Sequence, residues 1–360
     1  MSCEAISITS ISLHPSRLTP HLYPLTCLLA VICVLVLNAC STPQDHGVAI
    51  TGPTMGSTFS VSIPVLPEQL SRDELEKQIN DILADINQTM STYLADSELS
   101  RINTSSSTDW IPISPRLYAV LSASQQISEL SHGAFDITVG ALVNLWGFGP
   151  PASKQKIPDA NAIQELMQWT GYQHIELRAS PAAIRKAYPQ TYLDLSGIAS
   201  GYAADCLAEL LDSHAISNYL VDISGEIRAR GRNTRNQIWR VGIEKPLVDR
   251  RDVQTIIALD NLGLTTAGDY RNFFVHKGKR YSHTIDPSTG WPVSHNLSAV
   301  TVIDKSAMIA DALDTALMVM GPDRAFQFAE EHHIAALFIL VDGDKFIQKT
   351  SSQFSPALLQ

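Results

Sequence analysis

The stretch that most restricts the architecture is Ser306 to Gly321, SAMIADALDTALMVMG. Ser306 is a helix N-cap residue type and Gly321-Pro322 is a stop, so a helix is predicted between them. Ile309, Leu313, Ala316, Leu317 and Val319 cover most of its circumference, and Ala307, Met308 and Met318 extend the remaining face. A helix apolar nearly all round has no face to give to water and must be covered on every side. Within that remaining face stand Asp311, Asp314 and Thr315, at i, i+3 and i+4, so their oxygens point the same way.

One reading makes that face the solvated side of an amphipathic helix, the usual fate of charged residues. The apolar flanks favour another. An isolated buried carboxylate is costly or must neutralise itself, and a second one beside it adds repulsion. A hard divalent cation cancels both charges, and oxygen-only donors of this kind suit Mg²⁺.

Three further segments carry chemistry-bearing residues. In Thr191 to Ala204, TYLDLSGIASGYAA, a short strand over Tyr192 to Leu195 is expected to turn through Ser196-Gly197-Ile198-Ala199-Ser200-Gly201 into a helix. Glycines at such a junction let backbone approach a phosphate, and the helix N-terminus supplies N–H groups and partial positive charge. The pattern is neither a Walker loop nor a dinucleotide fingerprint, and a plain tight turn explains it equally. In YSHTIDPSTGW, Tyr281 to Trp291, His283 precedes a Pro/Gly turn. A lone histidine is more often structural, but beside phosphate and metal it is suited to act as a general base. Gly133 to Gly140, followed by Trp146-Gly147-Phe148-Gly149, reads either as a turn with core aromatics or as the aromatic lining of a pocket for a flat heterocycle.

The rest of the chain predicts an α+β fold, helices packed on mixed, mostly antiparallel sheets. Thr58 to Ile63 alternates as a half-buried strand after a turn at Gly52 to Gly56, and Ser71 with Glu74 forms a capping box ahead of a helix to Met90. Further helices are expected at Pro115 to Leu130, Asn161 to Thr170, Ser200 to His214 and Pro322 to His332. Strands are expected at Tyr219 to Ile223, Trp239 to Ile243, Val253 to Leu259, Leu297 to Ile303 and Ala335 to Val341, and a loop at Thr104 to Thr108.

The N-terminus reads differently. Leu25 to Leu37 is an apolar run of a signal-peptide h-region's length, short of a membrane-spanning helix. Leu37-Asn38-Ala39-Cys40 and the polar residues after it resemble a bacterial lipoprotein cleavage site, which would make Cys40 the acylated first residue. A plain signal peptide or anchor is the alternative, and either way residues 1–39 are set aside from the fold. Residues 40–50 then form a linker, and 51–360 one domain of one or two lobes. Of the 5 cysteines only Cys206 remains in the body, in an apolar helical setting that predicts an inert core thiol. The net charge of −10, with no stripe of Lys and Arg, argues against nucleic-acid binding.

Taken together, Thr54-Met55-Gly56-Ser57, Met90-Ser91-Thr92-Tyr93 with Asp96-Ser97-Glu98-Leu99, GAFD (Gly133 to Asp136), LDLSGIASGYAAD (Leu193 to Asp205), SHTIDPSTG (Ser282 to Gly290) and ADALDTA (Ala310 to Ala316) resemble the ApbE family of bacterial flavin transferases. The resemblance implies a Mg²⁺-dependent enzyme that moves FMN from FAD to a threonine hydroxyl of an acceptor protein, releasing AMP. It implies an FAD site lined by Met55, Tyr93, Ala134, Phe135, Asp136, Asp194, Ser200 and Ile285. Metal ligands would be Asp311, Asp314, Thr315 and the Gly197 carbonyl, with His283 as the base. The departure is Ser200, where many members carry Lys, and serine is too short to reproduce a lysine's charge contact. FAD affinity and the balance between transfer and hydrolysis are what that change touches.

The lipoprotein reading places the enzyme on the periplasmic side of a bacterial membrane, the inner membrane favoured, with membrane redox subunits as the acceptors the resemblance suggests. Two other functions fit the same residues: a Mg²⁺-dependent FAD pyrophosphatase using water, and a non-enzymatic periplasmic FAD-binding lipoprotein.

Overall fold

Strand β1 (Val48–Thr54) runs antiparallel to β2 (Ser57–Ile63) with only Met55 and Gly56 between them, at φ 48° and 73°. The expected turn is therefore shorter than Gly52 to Gly56. Gly52 and Pro53 pair with Phe59 and Thr58 inside the ladder. Proline is tolerated there because β1 is an edge strand, where a missing N–H costs little. The computed structural model describes residues 47–150, 155–343 and 345–354, all within one compact unit, His46–Gln360. The expected leader, Cys40 and the linker as far as residue 46 lie outside the described residues.

Helix α1 (Arg72–Met90) starts as the capping box predicts, with the Glu74 N–H donating to Ser71 Oγ at 3.2 Å. After α2 (Glu98–Thr104), whose end takes the first residue of the expected loop, come β3 (Ile111–Pro112), α3 (Pro115–Leu130), α4 (Gly140–Trp146) and α5 (Ala160–Met167). Then β4 (Ile175–Ala179) and β5 (Ala182–Lys186) join β3 in a small antiparallel sheet. The chain continues through α6 (Ala199–Ser213), β6 (Tyr219–Ile223), β7 (Glu226–Arg230), β8 (Trp239–Glu244), β9 (Val253–Leu259) and β10 (Leu262–Gly268). It closes with the hairpin β11 (Phe273–His276) and β12 (Lys279–Ser282), β13 (Leu297–Asp304), α7 (Ala307–Met320), α8 (Pro322–Glu331), β14 (Ala335–Asp342) and β15 (Lys345–Thr350).

The main sheet is antiparallel, in the order β1-β2-β6-β7-β10-β13-β14-β15. Helices α6 and α7 lie on one face, and the β8–β9 hairpin contributes to the core on the other. Strand β13 is central, which explains its near-continuous apolar run: Val300 and Val302 enter the helix-side core, Ala299 and Ile303 the opposite one. The long-range position of α7 follows from its composition. It packs against β10, β13, α6 and α8, the cover that its apolar circumference requires.

One expected strand is absent. Tyr192 to Leu195 makes a single parallel bridge, Tyr192 to Val139, and is otherwise held from the side. Leu193 donates to Asn103 Oδ1 and its carbonyl accepts from Asn103 Nδ2, both at 2.8 Å, while Asp194 N–H reaches the Ile137 carbonyl at 2.7 Å. A side-chain amide takes the place of a neighbouring strand. Cys206 is a free, half-buried thiol that accepts from Arg116 Nη1 at 3.4 Å, and burial pushes its pKa up, as suits an unreactive group.

Candidate active site

The acidic face of α7 is buried. Asp311 is 5% exposed and Asp314 is 2% exposed, with Thr315 half-buried beside them. Asp311 Oδ2 accepts the Gly201 N–H of α6 at 2.9 Å, a contact made possible because glycine adds no side chain between the helices: a Cβ there would stand 2.3 Å from the Ala307 carbonyl oxygen. Desolvation lifts the Asp311 carboxyl to about 7. Desolvation and then the charge of Asp311 hold Asp314 well above the ordinary carboxylate range. Among the described residues, no Lys or Arg pairs with either.

A third acid, Glu226 at the start of β7, faces the same place. Its Oε2 is enclosed without a hydrogen-bond partner, and burial followed by the Asp311 charge raises its pKa. Sequence reasoning missed it, because the only local signal is an acid following the tight Ser224-Gly225 turn. Gly197 comes close from the other side: a Cβ on it would lie 3.0 Å from Thr315 Oγ1 and 3.4 Å from the Phe135 ring. Among the described residues no set of three or more His, Cys, Asp or Glu has a metal-holding arrangement. The residues that could hold a cation are thus two carboxylates completed by the Thr315 hydroxyl and a backbone carbonyl at Gly197, all hard oxygens.

His283 leaves the end of β12 with both its backbone N–H and Nδ1 directed at the Asn272 carbonyl, at 3.0 and 3.1 Å. A carbonyl only accepts, so Nδ1 carries the hydrogen and Nε2 keeps its lone pair. Burial lowers the pKa of this imidazole, which favours the neutral base. Around it Phe148 meets the ring edge-on at 6.3 Å, Phe274 stacks on Tyr281 at 5.2 Å and Tyr281 on Trp146 at 5.6 Å. Trp146 Nε1 donates to the Gly290 carbonyl at 2.9 Å, tying this aromatic group to the turn after His283.

Asp136 is also buried, at 7% exposed, but both its oxygens are used locally. Oδ1 accepts from the Thr138 N–H and hydroxyl at 2.8 and 2.6 Å, and Oδ2 from the Tyr172 N–H at 2.7 Å. Asp194 Oδ1 likewise closes a turn on Ser196. These two carboxylates shape the loops that border the cavity.

The structure gathers most of the sequence-derived candidates at one cavity of about 390 Å³. Tyr93, Ala134, Phe135, Asp136, Asp194 and Ile285 line it, and so do Gly197, His283, Asp311, Asp314 and Thr315. Met55 and Ser200 line a second cavity of about 920 Å³, which shares Thr92, Tyr93 and Ser196 with the first. Ser200 stands in the first turn of α6, whose N-cap position, Ile198, offers no side-chain cap; the Ala199 N–H is taken by the Leu195 carbonyl and the Gly201 N–H by Asp311, which leaves the Ser200 N–H and the positive helix end to an anion. Cys40 lies outside the described residues. Glu226, Asn272 and Thr266 also line the first cavity and were absent from the sequence-derived set.

The chain is similar to flavin transferases. The chain is 41% identical over 331 residues to an FAD:protein FMN transferase of Vibrio cholerae, covering 92% of this chain and 98% of that one. It is 40% identical over 321 residues to the enzyme of the same description from Escherichia coli K12, covering 88% and 91%. The solved structure of the flavin transferase ApbE from Vibrio cholerae superposes with a TM-score of 0.80 at 41% identity, over 86% of this chain and 98% of that one. The apo flavinyl transferase ApbE of Pseudomonas stutzeri gives 0.80 at 38% identity, over 87% and 96%. The family model described as ApbE matches residues 55–338, and the chain belongs to the ApbE family.

Proposed function

We propose that this protein transfers FMN from FAD to a threonine hydroxyl of an acceptor protein, with Mg²⁺ held by Asp311, Asp314, Thr315 and the Gly197 carbonyl. The observation that carries the reading is the pair of buried carboxylates, without a Lys or Arg partner among the described residues, lining the same cavity as a histidine whose Nδ1 faces the Asn272 carbonyl. The two adjoining cavities suit an extended dinucleotide, with Tyr93 at their junction and Met55 and Ser200 in the second. Phe148, Phe135, Val143 and Ile285 supply apolar wall for a flat ring system, with the buried Trp146 packed in the same apolar cluster as Phe148.

His283 Nε2 takes the proton of the acceptor hydroxyl as its oxygen bonds to the FMN-side phosphorus. The bridging P–O bond breaks and AMP leaves with the electron pair. When bound, Mg²⁺ offsets the negative charge that builds across the pyrophosphate. The Ser200 N–H and the positive end of α6 receive a phosphate oxygen, which helps an acidic protein hold a polyanion without a basic patch. Acylation of Cys40 would tether the enzyme on the periplasmic side of the membrane, within reach of membrane redox subunits.

Incubation with FAD, Mg²⁺ and a threonine-bearing acceptor peptide tests this. The expected result is covalent flavin fluorescence on the acceptor in a denaturing gel, abolished by EDTA. AMP release without labelling would make the protein a pyrophosphatase, and FAD binding without AMP release would make it a carrier.

A further inference from the structure

Helix α7 needs a fixed position along its own axis as well as a place in the core, because a one-residue slip moves each carboxylate about 1.5 Å along the helix and turns it by about 100°. The structure holds that register from α6. Asp205 crosses to the start of α7 and accepts three hydrogen bonds there: from Ser306 Oγ at 2.6 Å, and from the Ala307 and Met308 N–H groups at 3.0 Å each. Ser306 Oγ in turn accepts the Ile309 N–H at 3.3 Å. The first three helical N–H groups are thus all taken by side chains, two of them by a carboxylate from another element.

Arg228 of β7 lies with Nε 3.4 Å from Asp205 Oδ1, giving this half-buried carboxylate the counter-charge that Asp311 and Asp314 lack. One turn before Asp205, Gly201 donates to Asp311, so α6 grips α7 at two points a helical turn apart. The backbone is close on two sides as well: a Cβ on Gly263 of β10 would stand 2.7 Å from the Ala307 nitrogen, and one on Gly201 2.3 Å from the Ala307 oxygen. Two residues before α6 begins is Gly197, whose carbonyl is in the cation set. The clamp therefore fixes both halves of that set against each other.

We propose that Asp205, supported by Arg228, is a positioning residue for the divalent cation: by capping α7 from α6 it sets the register between the Gly197 carbonyl and the side chains of Asp311, Asp314 and Thr315. This rests on the cation reading above. Cation–ligand distances tolerate only about 0.2 Å, so a loosened helix start one turn from Asp311 is felt at the ligands.

The test is calorimetric titration of Mn²⁺ into the full-length protein and its Asp205→Ala and Asp205→Asn variants, alongside FAD binding in EDTA and thermal melting. Loss of a group that orients ligands costs about 10- to 100-fold in metal affinity. Asp205→Ala is expected to raise the Mn²⁺ Kd by that factor, to leave FAD binding in EDTA unchanged, and to regain its transfer rate at saturating Mn²⁺. Asp205→Asn, which keeps one acceptor oxygen, is expected to fall between. A folded Asp205→Ala protein with the unaltered Mn²⁺ Kd would overturn the proposal. Should that variant not fold, an Asp205→Asn protein that melts lower but binds Mn²⁺ as tightly would overturn it equally. Absence of Mn²⁺ binding by the unaltered protein would instead remove the cation reading, and this inference with it.

Discussion

The cavity has an acidic wall and an aromatic one, and burial acts on their titratable groups in opposite directions. Desolvation raises Asp311 to about 7 and Asp314 well above its usual range, while the same cause lowers His283. Both shifts favour the neutral form. What differs is the company each group keeps. His283 has its tautomer set by the Asn272 carbonyl and is ready to accept a proton, whereas the acids have no cationic partner among the described residues and ionise favourably only when one arrives. Burial with an orienting partner makes a base, and burial without a cationic partner makes a cation site.

Replacing an acid should break that contrast most. Asp314→Asn is expected to cut covalent flavin transfer by about 1,000-fold, the several kcal/mol that metal charge stabilisation supplies. The same change should alter metal-free stability with a definite sign. A carboxyl whose folded pKa is raised binds protons that the unfolded chain has released, so its stabilising contribution is full below about 4 and is lost as pH rises through the folded value, about 7 for Asp311 and a raised value of its own for Asp314. In EDTA the unaltered protein should therefore melt at lower temperature at about pH 8 than at about pH 5, and Asp314→Asn should flatten the difference. An unchanged slope would mean that the acids are not neutral in the metal-free protein.

His283→Ala tests the other wall. Single-turnover transfer is expected to fall about 100-fold, within the range of general-base catalysis. Because its pKa is lowered, the acid limb of kcat/KM should lie below the ordinary histidine value of 6.5 and vanish in the variant. Full single-turnover transfer by the variant would remove His283 from the mechanism. Tyr93 stands between the two cavities and is 69% exposed, so Tyr93→Ala should raise the FAD KM by about 5- to 10-fold through lost ring contact, with kcat little changed. The smallest effect expected is from Ser200→Lys, which should tighten FAD binding by about 2- to 5-fold, the worth of a solvent-screened charge contact. Weaker FAD binding would show that Ser200 is better suited to this cavity than the lysine that the family resemblance implies there.

Much of the acidic wall was legible before the structure, because α7 announces itself locally: its apolar circumference demands burial, and Asp311, Asp314 and Thr315 lie within five consecutive residues. Helix Pro115–Leu130 and strands Tyr219–Ile223 and Val253–Leu259 were equally readable from period and boundary residues. What could not be read depends on distant partners. Glu226 reaches Asp311 because β7 pairs with β10 and both strands lie under α7. The Asn272 carbonyl has no side-chain signature at all. Tyr192 to Leu195 looked like a strand because its apolar alternation is real, yet Asn103, ninety residues away in sequence, supplies the hydrogen bonds that a neighbouring strand would have made.

The most direct test of the central claim measures AMP and protein-bound FMN together, in one time course with FAD and acceptor, while Mg²⁺ is titrated in from an EDTA-treated start. If the buried acid pair recruits the cation that drives transfer, the two products rise one for one with Mg²⁺ and neither forms in EDTA. Transfer at full rate in EDTA, or AMP accumulating without labelled acceptor, would contradict the account.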